Sequence, residues 1–246
     1  VCAGYLAKAG KRVLVVDGRS DPGGCASTRE FSAGFRVSDC AQWLSQFDQS
    51  IVKELDLKGN GLRLGQPKRT ISLQPDSDHL IIDGDTISGA GVDSADQAAY
   101  RDFKKMVASF AKLMTTLYRK RPPKLVEQNW TDRLTLMKLG LGLKLLGRDR
   151  LRDLMRIVMI NIYDVMNEHF SHAALKSIIA LDAVTGTNMG PRSPNTVYSY
   201  LHAATGEYLA QTGTTQVIGG MGAFGQSLAK AAQKNGAQLK LGSAVT

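Results

Sequence analysis

Residues 13–16, Val-Leu-Val-Val, form an unbroken apolar run with no polar alternation, the pattern of a strand covered on both faces in a parallel sheet. Ahead of it, Val1, Tyr5 and Leu6 recur at helical spacing with small Ala3, Gly4 and Ala7 between them, and Gly10 stands where a C-terminal cap belongs. The pattern therefore predicts a short, closely packed helix leading into a buried strand that ends on an acid, Asp17. A second block of this kind lies at the far end. There QVIGGMG reads as a glycine-rich turn, Ala223 to Lys234 as a helix, Asn235-Gly236 as a turn, and the residues through Leu239 and Leu241 as a strand.

The stretch between the two blocks has a different character. A hairpin is predicted from Arg69–Leu73 and Leu80–Asp83, with Pro75, Asp76 and Ser77 supplying the turn. Helices follow. Ala95 to Arg119 carries Phe103, Val107, Phe110 and Met114 at three- and four-residue spacing, and Pro122-Pro123 stops it. The leucines of Leu134–Leu146 partly alternate, but Leu, Met and Lys favour helix and β-branched residues are nearly absent. Further helices are predicted over Leu151–Asn167 and His172–Val184. Met155, Met159 and Met166 are read as core filling in preference to the lining of a substrate channel.

Composition narrows the classes. With 246 residues and 43% hydrophobic positions the chain has material for one large or two modest domains. Charged residues cut every long apolar stretch, so no spanning helix is expected. Cys2, Cys25 and Cys40 follow no metal-ligand or dithiol spacing, and their odd count fits reduced thiols in the cytoplasm or the mitochondrial matrix. Cys25 and Cys40 are 15 residues apart, so dithiol chemistry between them requires that the fold bring them together. His169 and His172 lack further ligands nearby, and no metal site is expected.

The net charge of +9 is local. Residues 101–156 hold 15 Lys and Arg against 5 Asp and Glu, and the rest of the chain is nearly neutral. Aromatic residues are sparse there and no nucleic-acid-binding motif is present, so nucleic acid is not the expected partner. A solvated helical face is the commonest meaning of such a block, and peripheral contact with a membrane or a protein is the functional one.

An acid ending the second strand of a βαβ unit accepts hydrogen bonds from ribose hydroxyls, and the matching glycine fingerprint lies about 20 residues upstream of it. For Asp17 that position falls before Val1, so the chain is expected to begin after the phosphate loop. The segment behind the acid, GRSDPGGCAST, carries the doublet Gly23-Gly24, which allows close backbone approach to a ligand, and hydroxyls at Ser27 and Thr28. Here the chain resembles the FAD-dependent oxidoreductases of the amine oxidase and phytoene desaturase superfamily, which follow the ribose-binding acid with a GGRxx(S/T) motif. Cys25 occupies the arginine position. The terminal GGMG-helix-GA-strand block is similar to the segment by which phytoene desaturase-like proteins return to the cofactor domain, and Thr187–Glu207 resembles the branch of pyridine nucleotide-disulfide oxidoreductase domain-containing proteins.

The resemblance implies an α/β fold: a partial Rossmann-like FAD-binding domain, residues 1–61 and 216–246, with an inserted α+β, mainly helical substrate domain at 62–215. It implies FAD held by Asp17, Gly18, Arg19, Gly23, Gly24, Cys25, Ser27, Thr28 and Val245. The implied activity is hydride transfer between an apolar small molecule and the flavin in the full-length protein, the piece alone being inactive. No catalytic residue is assigned; His202, in the family-like segment, is the histidine worth testing, though packing is the commoner role, and Arg192 is read as covering a turn before binding an anion. Two other readings stay open: a non-catalytic scaffold that keeps the fold for protein interactions, and an NAD-dependent dehydrogenase, since a strand-end acid serves either dinucleotide.

Overall fold

The computed structural model describes residues 1–75, 78–89, 91–118, 121–126, 129–210 and 214–245. In chain order its elements begin with α1 (Cys2–Lys8), β1 (Leu14–Val16), β2 (Thr28–Ser32), β3 (Phe35–Ser38), α2 (Gln49–Glu54) and β4 (Leu64–Pro67). Next come β5 (Thr70–Ser72), β6 (Leu80–Asp83), β7 (Thr86–Ser88), α3 (Ser94–Tyr118), α4 (Trp130–Leu146), α5 (Arg148–Ile157), α6 (Ile162–His169), α7 (Ala173–Val184) and α8 (Thr196–Ala210). The chain closes with β8 (Thr215–Val217), α9 (Met221–Lys234) and β9 (Gln238–Lys240). It divides into two compact units, one of residues 1–68 and 209–246, the other of residues 69–208.

The first unit is discontinuous, and three pairings tie its two pieces. β1 runs parallel to β9, with Val15 opposite Leu239; β4 runs antiparallel to β8; and α1 lies against α9. The β4–β8 pair draws the unit past the borders read from the sequence at 61 and 216. α1 ends as its glycine predicts: Gly10 takes φ +75°, Gly10 N donates to Ala7 O at 2.9 Å and Lys11 N to Leu6 O at 3.0 Å, the double bond of a Schellman cap. Its packed face is the small one, Gly4 and Ala7, set against Ala232 and Ala237 of the α9–β9 arm, while Val1 and Leu6 point outward. Leu44, Val52, Leu55, Leu57, Leu62, Val217, Met221 and Phe224 form the main core, and Phe47 meets Phe224 edge-on at 4.8 Å.

Two sequence expectations are corrected here. β1 is three residues long, and Leu14 and Val16 are 58% and 38% exposed instead of buried on both faces. The reason is its sheet: β1 bonds β9 alone among the described residues, and two strands cannot cover both sides of themselves. The terminal strand stops at Lys240, and residues 241–245 are irregular because Gly242 N and Ser243 N turn aside to Arg19 O and Asp17 O.

The second unit begins with the meander β5-β6-β7, in which the predicted hairpin is present and a third strand joins it. Of the residues assigned to its turn, Asp76 and Ser77 lie outside the described ones, as does Arg119 at the end of the expected first helix. The core gathers Leu80, Phe103, Phe110, Ile162, Val165, Met166, Leu175 and Leu201 from both the sheet and the helices. The predicted helix over Leu151–Asn167 is two helices. Residues 158–161 break it because Asn161 caps α6 by accepting Asp164 N at 2.9 Å, and buried Thr196 accepts Ile162 N at 2.8 Å. This break separates the methionines: Met166 is buried as core filling predicts, whereas Met155 and Met159 are exposed.

α4 accounts for its alternating leucines by having two apolar faces. Leu136, Leu139, Leu143 and Leu146 are half-buried, and Gly142 closes on Leu113 of α3. Trp130, Leu134, Met137, Leu141 and Leu145 form a second stripe that is exposed.

Candidate functional site

β1 delivers Asp17 at its carboxyl end, where the ladder with β9 continues for one more bond, Asp17 N to Lys240 O at 3.1 Å. Ser243 N returns to Asp17 O at 2.9 Å, and Arg19 N folds back onto Asp17 Oδ1 at 2.9 Å. The second is a side-chain turn that fixes the carboxylate. Its other oxygen, Oδ2, takes no hydrogen bond among the described residues, so it is ready to accept one from a ligand hydroxyl.

Immediately beyond Asp17 a cleft of about 340 Å³ opens. Arg19, Ser20, Asp21 and Pro22 form one wall, Ser27, Thr28 and Arg29 with Arg36 and Asp39 of the β2–β3 hairpin form another, and Gly219, Gly222, Ala223 and Gln226 close it from the start of α9. Outside the carboxyl end of a parallel strand is where α/β sheets hold ligands. Three guanidiniums face two carboxylates here. Asp39 Oδ1 pairs with Arg29 Nε at 2.7 Å, and Ser27 Oγ donates to Asp39 Oδ2 at 2.9 Å. Arg19 donates to Gly24 O at 2.9 Å and to Ser27 Oγ at 3.3 Å. The guanidinium of Arg36, exposed on β3, makes no hydrogen bond or ion pair among the described residues. It is the positive charge in the cleft available to an anion.

The hydroxyls of the hairpin build the cleft by capping α9. Gly222 N donates to Thr28 Oγ1 at 2.8 Å and Met221 N to Ser38 Oγ at 3.1 Å, so two of the helix's orphan N–H groups are satisfied from a segment nearly two hundred residues away. Gly220, at φ +81°, brings its backbone so close that a Cβ there would fall on the Thr28 hydroxyl. Gly225 does the same on the helix flank: a Cβ would stand 2.8 Å from Pro22 O and 2.9 Å from Gly23 Cα. The close approach permitted by the glycine doublet is thus made to the chain's own helix.

Of the residues assigned from sequence, Arg19, Ser27 and Thr28 line the cleft. Asp17 and Gly18 precede its wall in the chain, Gly23, Gly24 and Cys25 lie on the turn behind it, and Val245 stands 83% exposed in the irregular tail. Arg29, Arg36, Asp39 and Gln226 were missed. The signal for the first two was present in the alternation of TREFS and FRVS around Ala33-Gly34, a hairpin that puts both arginines on view.

In the second unit, His202 Nδ1 is 3.0 Å from the Tyr118 hydroxyl, which is 3.2 Å from that of Tyr198. Burial, followed by the bond to Tyr198, pushes the Tyr118 phenol well up. Arg192 lies 4.2 Å above the Tyr163 ring, a cation–π contact that occupies it. Among the described residues no group of His, Cys, Asp and Glu is placed to hold a metal ion, and no helix is long and apolar enough to cross a membrane.

Known proteins resemble the chain in sequence and in fold. Residues 1–55 match the model of the NAD(P)-binding Rossmann-like domain. The chain is 27% identical to pyridine nucleotide-disulfide oxidoreductase domain-containing protein 2 of Rattus norvegicus and, at the same level, to that of Mus musculus, over 97% of its length. It spans 44% of each of those proteins. Among solved structures, a putrescine oxidase triple mutant redesigned in cofactor binding superposes over 99% of this chain and 48% of its own, with TM-score 0.52 and 18% identity. An oxidoreductase from Methanosarcina mazei covers 98% of this chain and 48% of its own at TM-score 0.50 and 16% identity. Residues 1–55 thus match the Rossmann-like NAD(P)-binding domain, and the fold of the chain is like that of these solved oxidoreductases.

Proposed function

We propose that the chain is part of an FAD-dependent oxidoreductase that moves hydride between an apolar organic substrate and the flavin. The observation that carries this reading is Asp17: a strand-end carboxylate, held by Arg19 N, two residues ahead of a cleft whose Arg36 guanidinium makes no hydrogen bond or ion pair among the described residues. The donor set fits the adenosine half of such a cofactor. Asp17 accepts from ribose hydroxyls, and Arg36 offers charge-assisted hydrogen bonds to a phosphate. Cys25 brings no charge to the position where the family motif has arginine, and Arg36 is the cation in the cleft that can supply it. When bound, the flavin supplies the ring that accepts or gives the hydride, and the protein's share is binding, orientation and exclusion of water. FAD is favoured over NAD by the two sequence blocks that resemble flavoproteins, one behind the acid and one at the end of the chain.

The visible absorption spectrum of the purified full-length protein tests the reading. Flavin bands in near-stoichiometric amount support it, and their absence even after incubation with FAD overturns it. Asp17→Ala removes a charged hydrogen-bond acceptor and is expected to weaken FAD binding by about ten- to a hundredfold. Unchanged affinity in a titration of the flavin-free protein would remove Asp17 from the site.

The apolar substrate class is supported by α4. Its exposed stripe, Trp130, Leu134, Met137, Leu141 and Leu145, shares the helix with Arg133, Lys138 and Lys144, and α5 adds Arg148, Arg150 and Arg152. Apolar residues next to basic ones match the surface of an anionic bilayer, where apolar substrates dissolve. The protein is expected to sediment with vesicles containing phosphatidylserine and to be released by salt, and Leu141→Glu/Leu145→Glu is expected to stay in the supernatant. Equal behaviour of the two proteins would rule the stripe out as the contact.

A further inference from the structure

Asp39 stands one residue past β3, where the β2–β3 ladder runs on beyond its last regular pair, Thr28 with Ser38. Its N–H donates to Ser27 O at 3.1 Å, so the two residues face each other across the strands. Alternate residues of a strand share a face, which puts Arg29 on the side of Ser27 and diagonal to Asp39. The Asp39 carboxylate gathers this row: Oδ1 accepts from Arg29 Nε at 2.7 Å and Oδ2 from Ser27 Oγ at 2.9 Å. The same Oδ2 lies 3.8 Å from Arg19 Nη2, which donates to Ser27 Oγ at 3.3 Å. Arg36 is in register with Glu30, outside this row, and Glu30 is turned to accept Gly34 N at 2.9 Å. A single carboxylate, its side chain 25% exposed, thus engages two of the three guanidiniums that line the cleft. Three positive groups against two negative ones, Asp21 and Asp39, leave the lining with one positive charge.

We propose that Asp39 is a positioning residue that sets which anions the cleft accepts, by holding Arg29 and Arg19 as walls so that Arg36 alone offers its charge to a ligand. The inference rests on the reading of the cleft as a phosphate site, but not on the identity of the cofactor. A lining with one uncompensated charge suits a phosphate that carries one charge, as each phosphate of a dinucleotide does. A terminal phosphate carries up to two near neutral pH, and it meets the Asp39 carboxylate without a second free cation to offset it. Without the Asp39 charge, Arg29 and Arg19 would turn their planar donor forks to the anion, and the preference would shift to the more highly charged species. Asp39 touches no ligand in this scheme; it acts through the two arginines.

Calorimetric titration of the flavin-free full-length protein with inorganic phosphate is the test, and it reads the cleft whether or not FAD binds. Asp39→Asn keeps the shape of the side chain and drops its charge, and is expected to bind phosphate about tenfold more tightly than the parent. Adding Arg29→Gln to it is expected to remove most of that gain. A side chain that merely supported the hairpin would weaken binding or leave it alone when replaced, so equal or weaker binding by a folded Asp39→Asn protein overturns the proposal. Should that variant fail to fold, the parent background decides: Arg36→Gln is expected to cost phosphate binding far more than Arg29→Gln. Equal losses would mean that Asp39 does not hold Arg29 back, and phosphate binding unchanged by Arg36→Gln would take the anion out of the cleft and the role of Asp39 with it. A gain in Asp39→Asn from a protein that takes up no flavin would leave this role standing and overturn only the choice of cofactor.

Discussion

Gly225→Val is expected to remove flavin binding from the full-length protein and to lower its melting temperature by about 10 °C, a loss on the order of 3 kcal/mol. The added Cβ would meet backbone on its near side, Pro22 O at 2.8 Å and Gly23 Cα at 2.9 Å, with Ala26 O behind them at 3.3 Å. Neither partner can rotate away as a side chain would. α9 has no freedom to retreat either, because Phe224, Ala231 and Ala232 are buried on its other sides and Thr28 and Ser38 hold its first turn. The 19–24 turn must therefore move, and with it Arg19, a wall of the cleft. Gly140→Ala on α4, where a Cβ meets nothing within 4 Å, is the control: neutral, or stabilising by up to about 1 kcal/mol. Flavin titration and thermal melting of the pair decide the matter, and a Gly225→Val protein that melts and binds like the control would show that the helix and turn are not locked together.

Asp96→Ala carries the second large effect, on stability of the helical unit. Asp96 is 4% exposed near the start of α3, and its carboxylate accepts Ser171 N at 2.9 Å, Ser171 Oγ at 2.8 Å and His172 N at 2.9 Å. These bonds pin the N-terminus of α7 to that of α3. Truncation removes the acceptor that Ser171 and His172 share and leaves a gap where the buried carboxylate stood, for an expected loss of about 3 kcal/mol in urea unfolding. Burial pushes the Asp96 pKa up, but the bonds from Ser171 and His172 outweigh it and hold it below the ordinary value. A lowered folded pKa means that the stabilisation is present above the unfolded value near 4 and is lost as pH falls through the folded one. Asp96→Ala should accordingly lose less stability on acidification than the parent. An acid limb of equal steepness in both proteins would contradict the assignment.

How much of this was readable in the chain depends on range. Local pattern was enough for α1 with its Gly10 cap, for the 3.6-residue stripe of α3, for α7 behind His172, and for the helix–turn–strand of α9 and β9. It failed where a distant group decides. The break between α5 and α6 needs Thr196 to take Ile162 N, and nothing within residues 151–167 announces that partner. Leu14 and Val16 read as buried because an apolar run says only what a strand would prefer to face, and its exposure is set by how many strands join it. The place of Asp17 at the end of β1 was legible from the apolar run before it. The free guanidinium of Arg36 was not, because its position comes from the hairpin, and the doublet at Gly23 gave no hint that its close neighbour is Gly225.

The discontinuity of the first unit also orders events on the ribosome. Residues 1–68 emerge first but cannot complete β1, β4 or the floor of the cleft until β8, α9 and β9 have been made. At about 5–20 residues per second that wait lasts roughly 10–30 s, time enough for the intervening helical unit to form by itself. During it Leu44, Val52, Leu55 and Leu62 lack the Val217, Met221 and Phe224 that later cover them. Residues 1–68 thus carry exposed apolar surface while they wait, and the cleft can form only once residues 215–240 have been made.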